Sequence, residues 1–142
     1  MQHVSTHICD DVREERGNKL SLMGLYDEAI LFPKLPARLP KLCLFQRWAE
    51  AHDARTVKIE IDGTALDKPH RVEARVDYAR GESRKEKLQI AIALSPLAFA
   101  QEGTLVISTY FNGASRPSHV HTLQIGRAVS TSAEGVSDRR HA

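Results

Sequence analysis

Four short segments of the chain alternate apolar and polar residues with a period of two. Their regularly spaced positions are Val57, Ile59 and Ile61; Val72, Ala74, Val76 and Tyr78; Leu88, Ile90, Ile92 and Leu94; and Leu105, Ile107, Thr109 and Phe111. Successive side chains of a strand point to opposite faces of its sheet, so each segment places these residues on a core and its polar residues in water. The pattern predicts an all-β fold.

Turn signals divide the rest of the chain into further strands. Gly17-Asn18 lies between strand-like runs over residues 3–16 and 19–26, which predicts a hairpin. Asn112-Gly113 predicts a second tight turn, before a last strand over Ser118 to Ile125. The prolines between Pro33 and Pro40 remove amide donors, so we expect a crossover there rather than a core strand.

Two segments have a less regular pattern. Residues 41–50 are apolar on both faces, which is typical of a central or covered strand. Residues 95–103 begin with serine and proline and end with glycine, so we expect a short helical turn that places Phe99 at the sheet edge.

The strand spacing predicts a two-sheet antiparallel β-sandwich of about eight strands, with a closed barrel as the alternative. The sandwich domain covers residues 1–126. Residues 127–142 are mostly small and polar and form a flexible C-terminal tail, since they bury too little apolar area to offset their ordering entropy. The predicted core includes Leu22, Leu44, Val57, Ile59, Val76, Ile90, Ile92, Ile107 and Phe111.

Composition limits the classes of protein to which this chain can belong. The 142 residues are 42% hydrophobic and 27% charged, which is ordinary for one globular domain. The net charge of +2 comes from 20 basic and 18 acidic residues that are intermixed, so no nucleic-acid partner is indicated. We expect a cytoplasmic protein without membrane association, because no signal-peptide pattern and no membrane-length apolar run occurs.

The two cysteines, Cys9 and Cys43, are too few for a disulfide scaffold and form no paired-cysteine metal motif. We expect two reduced thiols packed as small apolar groups, with a bridge between them as the alternative.

Part of the chain resembles a known family. The segments that carry the resemblance are Ile8 to Glu15, Gly17 to Tyr26, Phe32-Pro33 and Leu39 to Leu42. Together they resemble a family of small, uncharacterised bacterial proteins. The resemblance implies a single-domain, soluble β-sandwich of bacterial or bacteriophage origin. It implies no activity and no functional residues.

His119 and His121 are the strongest candidates for functional residues. They are one residue apart on a predicted strand, so both imidazoles project from one face and can share a zinc, nickel or copper ion. His3 and His7 would complete a four-ligand set if the two ends of the domain meet. Histidines at the margin of the core are the commoner explanation, since structural zinc sites usually show closer Cys and His spacing.

Other candidate functional sites have less support in the sequence. Asp10 and Asp11, with Asp27-Glu28 beyond the hairpin, resemble a calcium-binding carboxylate group, but Asp10 and Asp11 point to opposite faces of a predicted strand. Charged residues that protect a sheet edge account for them better. No Gly-x-Ser-x-Gly turn or Gly-rich phosphate loop is present in the sequence.

Three functional hypotheses follow. The first is a noncatalytic binding or assembly module with a protein partner or with itself. The second is a metal-binding protein or metal-dependent enzyme that uses His119 and His121, and the third is a small-ligand carrier with an inter-sheet pocket. We also expect a homodimer, because part of Cys43, Phe45 or Trp48 would stay uncovered on a strand that is apolar on both faces.

Overall fold

The computed structural model describes residues 1–17, 19–76 and 87–128, and it confirms that the protein is all-β. These residues form eleven strands and no helix, more strands than expected because several connections pair as short strands. The strands are β1 (Gln2–Glu15), β2 (Lys19–Tyr26), β3 (Ala29–Phe32), β4 (Ala37–Leu39), β5 (Leu42–Ala49), β6 (Thr56–Asp62), β7 (His70–Arg75), β8 (Leu88–Leu94), β9 (Leu97–Phe99), β10 (Gly103–Phe111) and β11 (His119–Arg127).

The strands form two larger sheets and one small one. The first has the order β2-β1-β5-β8, the second β3-β11-β10-β6-β7, and the small sheet pairs β4 with β9. Every pair of neighbours is antiparallel except β3 and β11, which run parallel. The prediction of a purely antiparallel fold is therefore wrong at β3. No hairpin joins β3 to β11, so chain connectivity does not impose an antiparallel direction on this pair.

The predicted N-terminal hairpin is confirmed. β1 and β2 pair antiparallel, with Glu15 opposite Lys19 and Ile8 opposite Tyr26. Gly24 adopts a φ of +69°, and a side chain there would collide with the Asp10 carboxylate. The positive φ and this close approach explain why a residue without Cβ occupies the position.

The main core takes side chains from both larger sheets. Its largest fully buried members are Ile8, Ile30, Leu42, Leu44, Trp48, Ile59, Ile61, Leu97, Phe99, Leu105 and Ile107. Most of the predicted core residues are buried. Val76 and Ile92 are only half-buried against the core, and Leu22 is half-buried outside the core cluster.

The helical turn predicted over residues 95–103 is wrong, because this segment contains β9. β9 pairs with β4, a three-residue strand inside the proline-rich crossover. Leu97 and Phe99 are fully buried while Ala98 between them is not, and Phe99 contacts the Phe32 ring at a centroid distance of 5.2 Å. The burial of two large side chains at alternate positions therefore favours a strand over the predicted helical turn.

The central strand predicted over residues 41–50 is confirmed, since β5 lies between β1 and β8. The expectation that its apolar side chains stay partly uncovered is wrong. Cys43, Phe45 and Trp48 are 4%, 2% and 1% exposed within a single chain. Val12 and Leu20 of the hairpin line the same cavity as Cys43 and Phe45, so the hairpin approaches the face of β5 that points away from the main core.

Some predictions lie outside the described residues. Tyr78, the last position of the second alternating segment, belongs to the undescribed range 77–86, and the predicted tail from residue 129 onward is not described either. Arg127, which the sequence assigned to the tail, ends β11. Within the described ranges no helix has the length and apolarity needed to span a membrane.

Candidate functional site

Four aromatic side chains meet where β1 and β11 begin and β5 ends. The His3 and His119 rings are stacked in parallel, with centroids 3.6 Å apart and an interplanar angle of 8°. His3 also makes an edge contact with Trp48 at 5.2 Å, and His121 lies 6.3 Å from His119. This histidine cluster joins the two larger sheets, because β1 and β5 belong to one and β11 to the other.

An irregularity in β1 brings His3 into the cluster. The pairing register between β1 and β5 shifts between His3 and Ser5, and His3 lies opposite Trp48. An extra residue at such a bulge reverses the side-chain alternation, so His3 faces the same side as Ile8 although Ile8 lies an odd number of positions, five, further along the strand. Sequence alternation alone assigns His3 to the other face.

The cluster disfavours protonated histidine. Burial lowers the pKa values of His3, His119 and His121, and repulsion between the imidazolium groups lowers those of His119 and His121 further. Nε2 of His119 is buried and has no hydrogen-bond partner among the described residues. The three imidazoles are therefore held in the neutral form more strongly than free histidine.

A buried hydrogen-bond network continues from the cluster between the sheets. His3 Nε2 is 2.6 Å from Thr6 Oγ1, and Gln46 Nε2 donates to Thr6 Oγ1 at 3.2 Å. Gln46 and Thr109 are fully buried and bonded to each other, with Gln46 Nε2 3.0 Å from Thr109 Oγ1. Trp48 Nε1 donates to Gln46 Oε1 at 3.2 Å.

Sequence reasoning missed this network. The only signals are Gln46 between Leu44 and Trp48 on the apolar side of β5, and Thr109 between Ile107 and Phe111 on β10. A polar residue in a core register indicates a buried partner, but the sequence does not identify that partner.

The structure brings together only some of the predicted metal ligands. His119 stacks on His3, whereas His7 lies opposite Phe45 in the β1–β5 register. His7 acts on the cluster through its charge, which adds to burial and to the charge of His3 in lowering the pKa of His121. Lone pairs of imidazole lie in the ring plane, so two stacked rings do not converge on one ion. In the described part of the chain no group of three or more His, Cys, Asp or Glu side chains is placed to hold a metal. Metal binding at His119 and His121 stays a prediction.

The acidic residues near the hairpin are engaged by other side chains of the chain. Tyr26 donates its hydroxyl proton to Asp10 at 2.7 Å, and burial together with this carboxylate raises the pKa of Tyr26 to about 12. Hydrogen bonds from Lys41 and Arg13 lower the pKa of Asp11. These contacts give Asp10 and Asp11 structural roles at the hairpin.

Cys9 and Cys43 lie directly opposite each other on β1 and β5, and both thiols are free and buried. Each Sγ donates to a main-chain carbonyl, of Asp11 at 3.4 Å and of Asp10 at 3.7 Å respectively. Burial, followed by repulsion from Cys43, raises the pKa of Cys9. A buried thiol with a raised pKa is a poor nucleophile, so this pair packs as small apolar side chains.

An exposed apolar surface lies on β2, which is one of the two edge strands of the first larger sheet as described. Met23 and Leu25 are 44% and 57% exposed and share the face of β2 opposite Tyr26, which packs on the core. Lys19 and Asp27 flank them and are exposed. No ion pair among the described residues includes either of these charges. We call Lys19, Met23, Leu25 and Asp27 the β2 edge surface.

Comparison with known proteins gives a family without an assigned activity. A family of unknown function, DUF6941, matches residues 5–121. No curated protein matches the chain. The resemblance to an uncharacterised family is therefore confirmed, and the match includes β1 from Ser5 onward, β2 to β10 and the start of β11.

Proposed function

We propose that this chain, which belongs to the family of unknown function DUF6941, is a noncatalytic assembly module that binds protein through the β2 edge surface. The observation that carries the proposal is the exposure of Met23 and Leu25 on a strand whose outer edge pairs with no other described strand. A strand added to a sheet edge uses two features: free main-chain donors and acceptors for its hydrogen bonds, and neighbouring apolar side chains for its contacts.

The β2 edge lacks most features that protect sheet edges. Natural edge strands carry inward-pointing charges, prolines or bulges that discourage pairing with another chain. β2 contains no proline, and its one charged residue is Lys19 at its start. Its pairing with β1 keeps one register from Ile8–Tyr26 to Glu15–Lys19, so no bulge turns the edge away.

A second copy of the chain is the partner that charge complementarity favours. Lys19 lies four residues before Met23 and Asp27 four residues after it. Antiparallel pairing of two β2 strands about a two-fold axis at Met23 therefore places Lys19 of each subunit opposite Asp27 of the other. The same arrangement brings the two Met23 side chains together, and a two-fold dimer is the commonest closed assembly.

Reversing the charges of Lys19 and Asp27, separately and together, tests this dimer. We expect the wild-type mass, measured by light scattering, to change from dimer to monomer across a dilution series. Lys19→Asp and Asp27→Lys each place like charges in register, so each should weaken dimerisation about tenfold. The double variant Lys19→Asp/Asp27→Lys restores opposite charges and should recover most of the wild-type affinity.

Two further variants complete the experiment. Met23→Glu places two carboxylates together at the two-fold axis and should leave a folded monomer. Val120→Glu changes another exposed apolar side chain, on β11, and should leave dimerisation unchanged. A monomer at every wild-type concentration contradicts self-assembly, and a double variant as weak as the single variants contradicts the proposed register.

We also infer that the two larger sheets pack face to face as a β-sandwich. Three contacts support this: the core cluster draws on both sheets, Gln46 of β5 bonds to Thr109 of β10, and the Trp48 ring lies 4.7 Å from that of Phe111. Two buried, free cysteines suit a reducing compartment such as the cytoplasm.

The other functional hypotheses stay predictions. Metal analysis of untagged protein tests for an ion at His119 and His121, and a bound lipophilic molecule in purified protein would support the small-ligand carrier. Bacterial or bacteriophage origin is likewise a prediction from the resemblance.

A further inference from the structure

A cleft of about 530 Å³ lies beside β4, the start of β7 and the end of β8, and its described lining includes no residue of the histidine cluster or of the β2 edge surface. Arg38 of β4, Lys68, and His70 and Arg71 of β7 line it. The volume lies within the range of pockets that hold small molecules, about 300–1,000 Å³.

The local fold positions these side chains. The main-chain N–H of Asp67 donates to the carbonyl of Ala98 at 3.2 Å, which brings the segment before β7 against β9. Arg38 lies opposite Ala98 in the β4–β9 register, so the small alanine leaves space beside the guanidinium. Ser95 Oγ donates to the carbonyl of Pro40 at 2.6 Å and connects the end of β8 to the crossover.

Positive charge dominates this cleft. Arg38, Lys68 and Arg71 carry three cations against the single carboxylate of Asp67 among the described lining residues. No ion pair among the described residues includes Arg38 or Lys68. Arg71 has only a long, exposed contact, 3.8 Å between its Nε and Glu73 Oε1. Like charges held around a concave surface focus a positive potential into it.

We propose that this cleft binds a small aliphatic phosphate ester, with Arg38 and Arg71 as the phosphate ligands. A guanidinium donates two parallel hydrogen bonds to a phosphate, and charge-assisted bonds of this kind are the strongest in proteins. Val72, Leu94 and Pro96 supply an apolar wall for the organic part. The described lining contains no Phe, Tyr or Trp on which a nucleobase would stack, which favours an aliphatic ligand over a nucleotide.

Isothermal titration calorimetry at constant ionic strength tests the proposal with inorganic phosphate, glycerol phosphate and glycerol. We expect inorganic phosphate and glycerol phosphate to bind competitively, and glycerol not to bind. Arg71→Gln and Arg38→Gln should each weaken binding about tenfold or more. Arg75→Gln is the matched control, because Arg75 ends the same strand but does not line the cleft, and it should change the affinity less than about twofold.

Three outcomes would overturn the proposal. The first is no heat of binding with about 10 mM phosphate or glycerol phosphate. The second is a loss in Arg75→Gln equal to that in Arg71→Gln, which would indicate general charge attraction. The third is tighter binding of a single-stranded DNA of about ten nucleotides than of glycerol phosphate, which would indicate a nucleic-acid surface. Circular dichroism and melting temperature of each variant verify that its fold is retained.

Discussion

At the scale of single residues, the stacked histidines give the protein a defined response to pH. The folded pKa values of His3, His119 and His121 lie below their ordinary value of 6.5, so the unfolded chain binds more protons as pH falls. The cluster's contribution to stability is therefore complete above pH 6.5 and is lost as pH falls through the lowered folded pKa values.

We predict that the free energy of unfolding falls between about pH 7.5 and 5.5, and that His119→Gln makes this fall shallower. Urea unfolding at a series of pH values measures it. Thr122→Gln is the control, since Thr122 is exposed on the same strand and carries no titratable group, and it should leave the slope unchanged. An equal slope in wild type and His119→Gln would show that the His119 imidazole does not couple folding to protons.

Prediction from sequence at this scale depended on regular strand geometry. His119 and His121 were found because alternation along an uninterrupted β11 places both on one face. The stacking of His3 on His119 was not predictable, because it depends on the register shift between His3 and Ser5 and on an inter-sheet contact. Neither a bulge nor a contact across sheets leaves a local sequence pattern here.

At the scale of strands, period-two alternation predicted β6, β8 and β10 well, because their apolar side chains face the core. Sequence pattern did not predict β9, a three-residue strand in a segment that also contains serine, proline and glycine. Local turn signals compete there with the burial of Leu97 and Phe99, and tertiary burial has the larger effect. The parallel β3–β11 pair was also not predictable, since its partners are remote in sequence.

Strand burial leads to a stability prediction. Ile107 is fully buried in central strand β10, so Ile107→Ala should lower the free energy of unfolding by about 2–5 kcal/mol, from lost burial and the remaining cavity. Ile92→Ala on edge strand β8 is the matched control and should cost less, because Ile92 is half-buried. Equal losses in urea unfolding would mean that the burial of these two positions is not as described.

At the scale of the whole molecule, the Gln46–Thr109 pair is a polar contact between β5 of one larger sheet and β10 of the other. Both side chains are fully buried, and each has a hydrogen bond from the other's donor group: Gln46 Nε2 to Thr109 Oγ1 at 3.0 Å, and Thr109 Oγ1 to Gln46 Oε1 at 3.2 Å. A buried amide without its partner incurs a desolvation cost, so the pair favours one alignment of the two sheets over displaced ones.

A double-mutant cycle measures this contribution to sheet alignment. Thr109→Val removes a hydroxyl at nearly constant volume and should cost about 1–3 kcal/mol, because it leaves Gln46 partly unsatisfied. Gln46→Met leaves the Thr109 hydroxyl, and also Trp48 Nε1, without that partner. The loss in free energy of unfolding of the double variant should be smaller than the sum of the two single losses, by about 0.5–3 kcal/mol. The reason is that the double variant leaves no buried amide or hydroxyl without its partner in this pair. Additive losses in urea unfolding would mean that the sheets do not meet at this pair, which would contradict the proposed face-to-face packing.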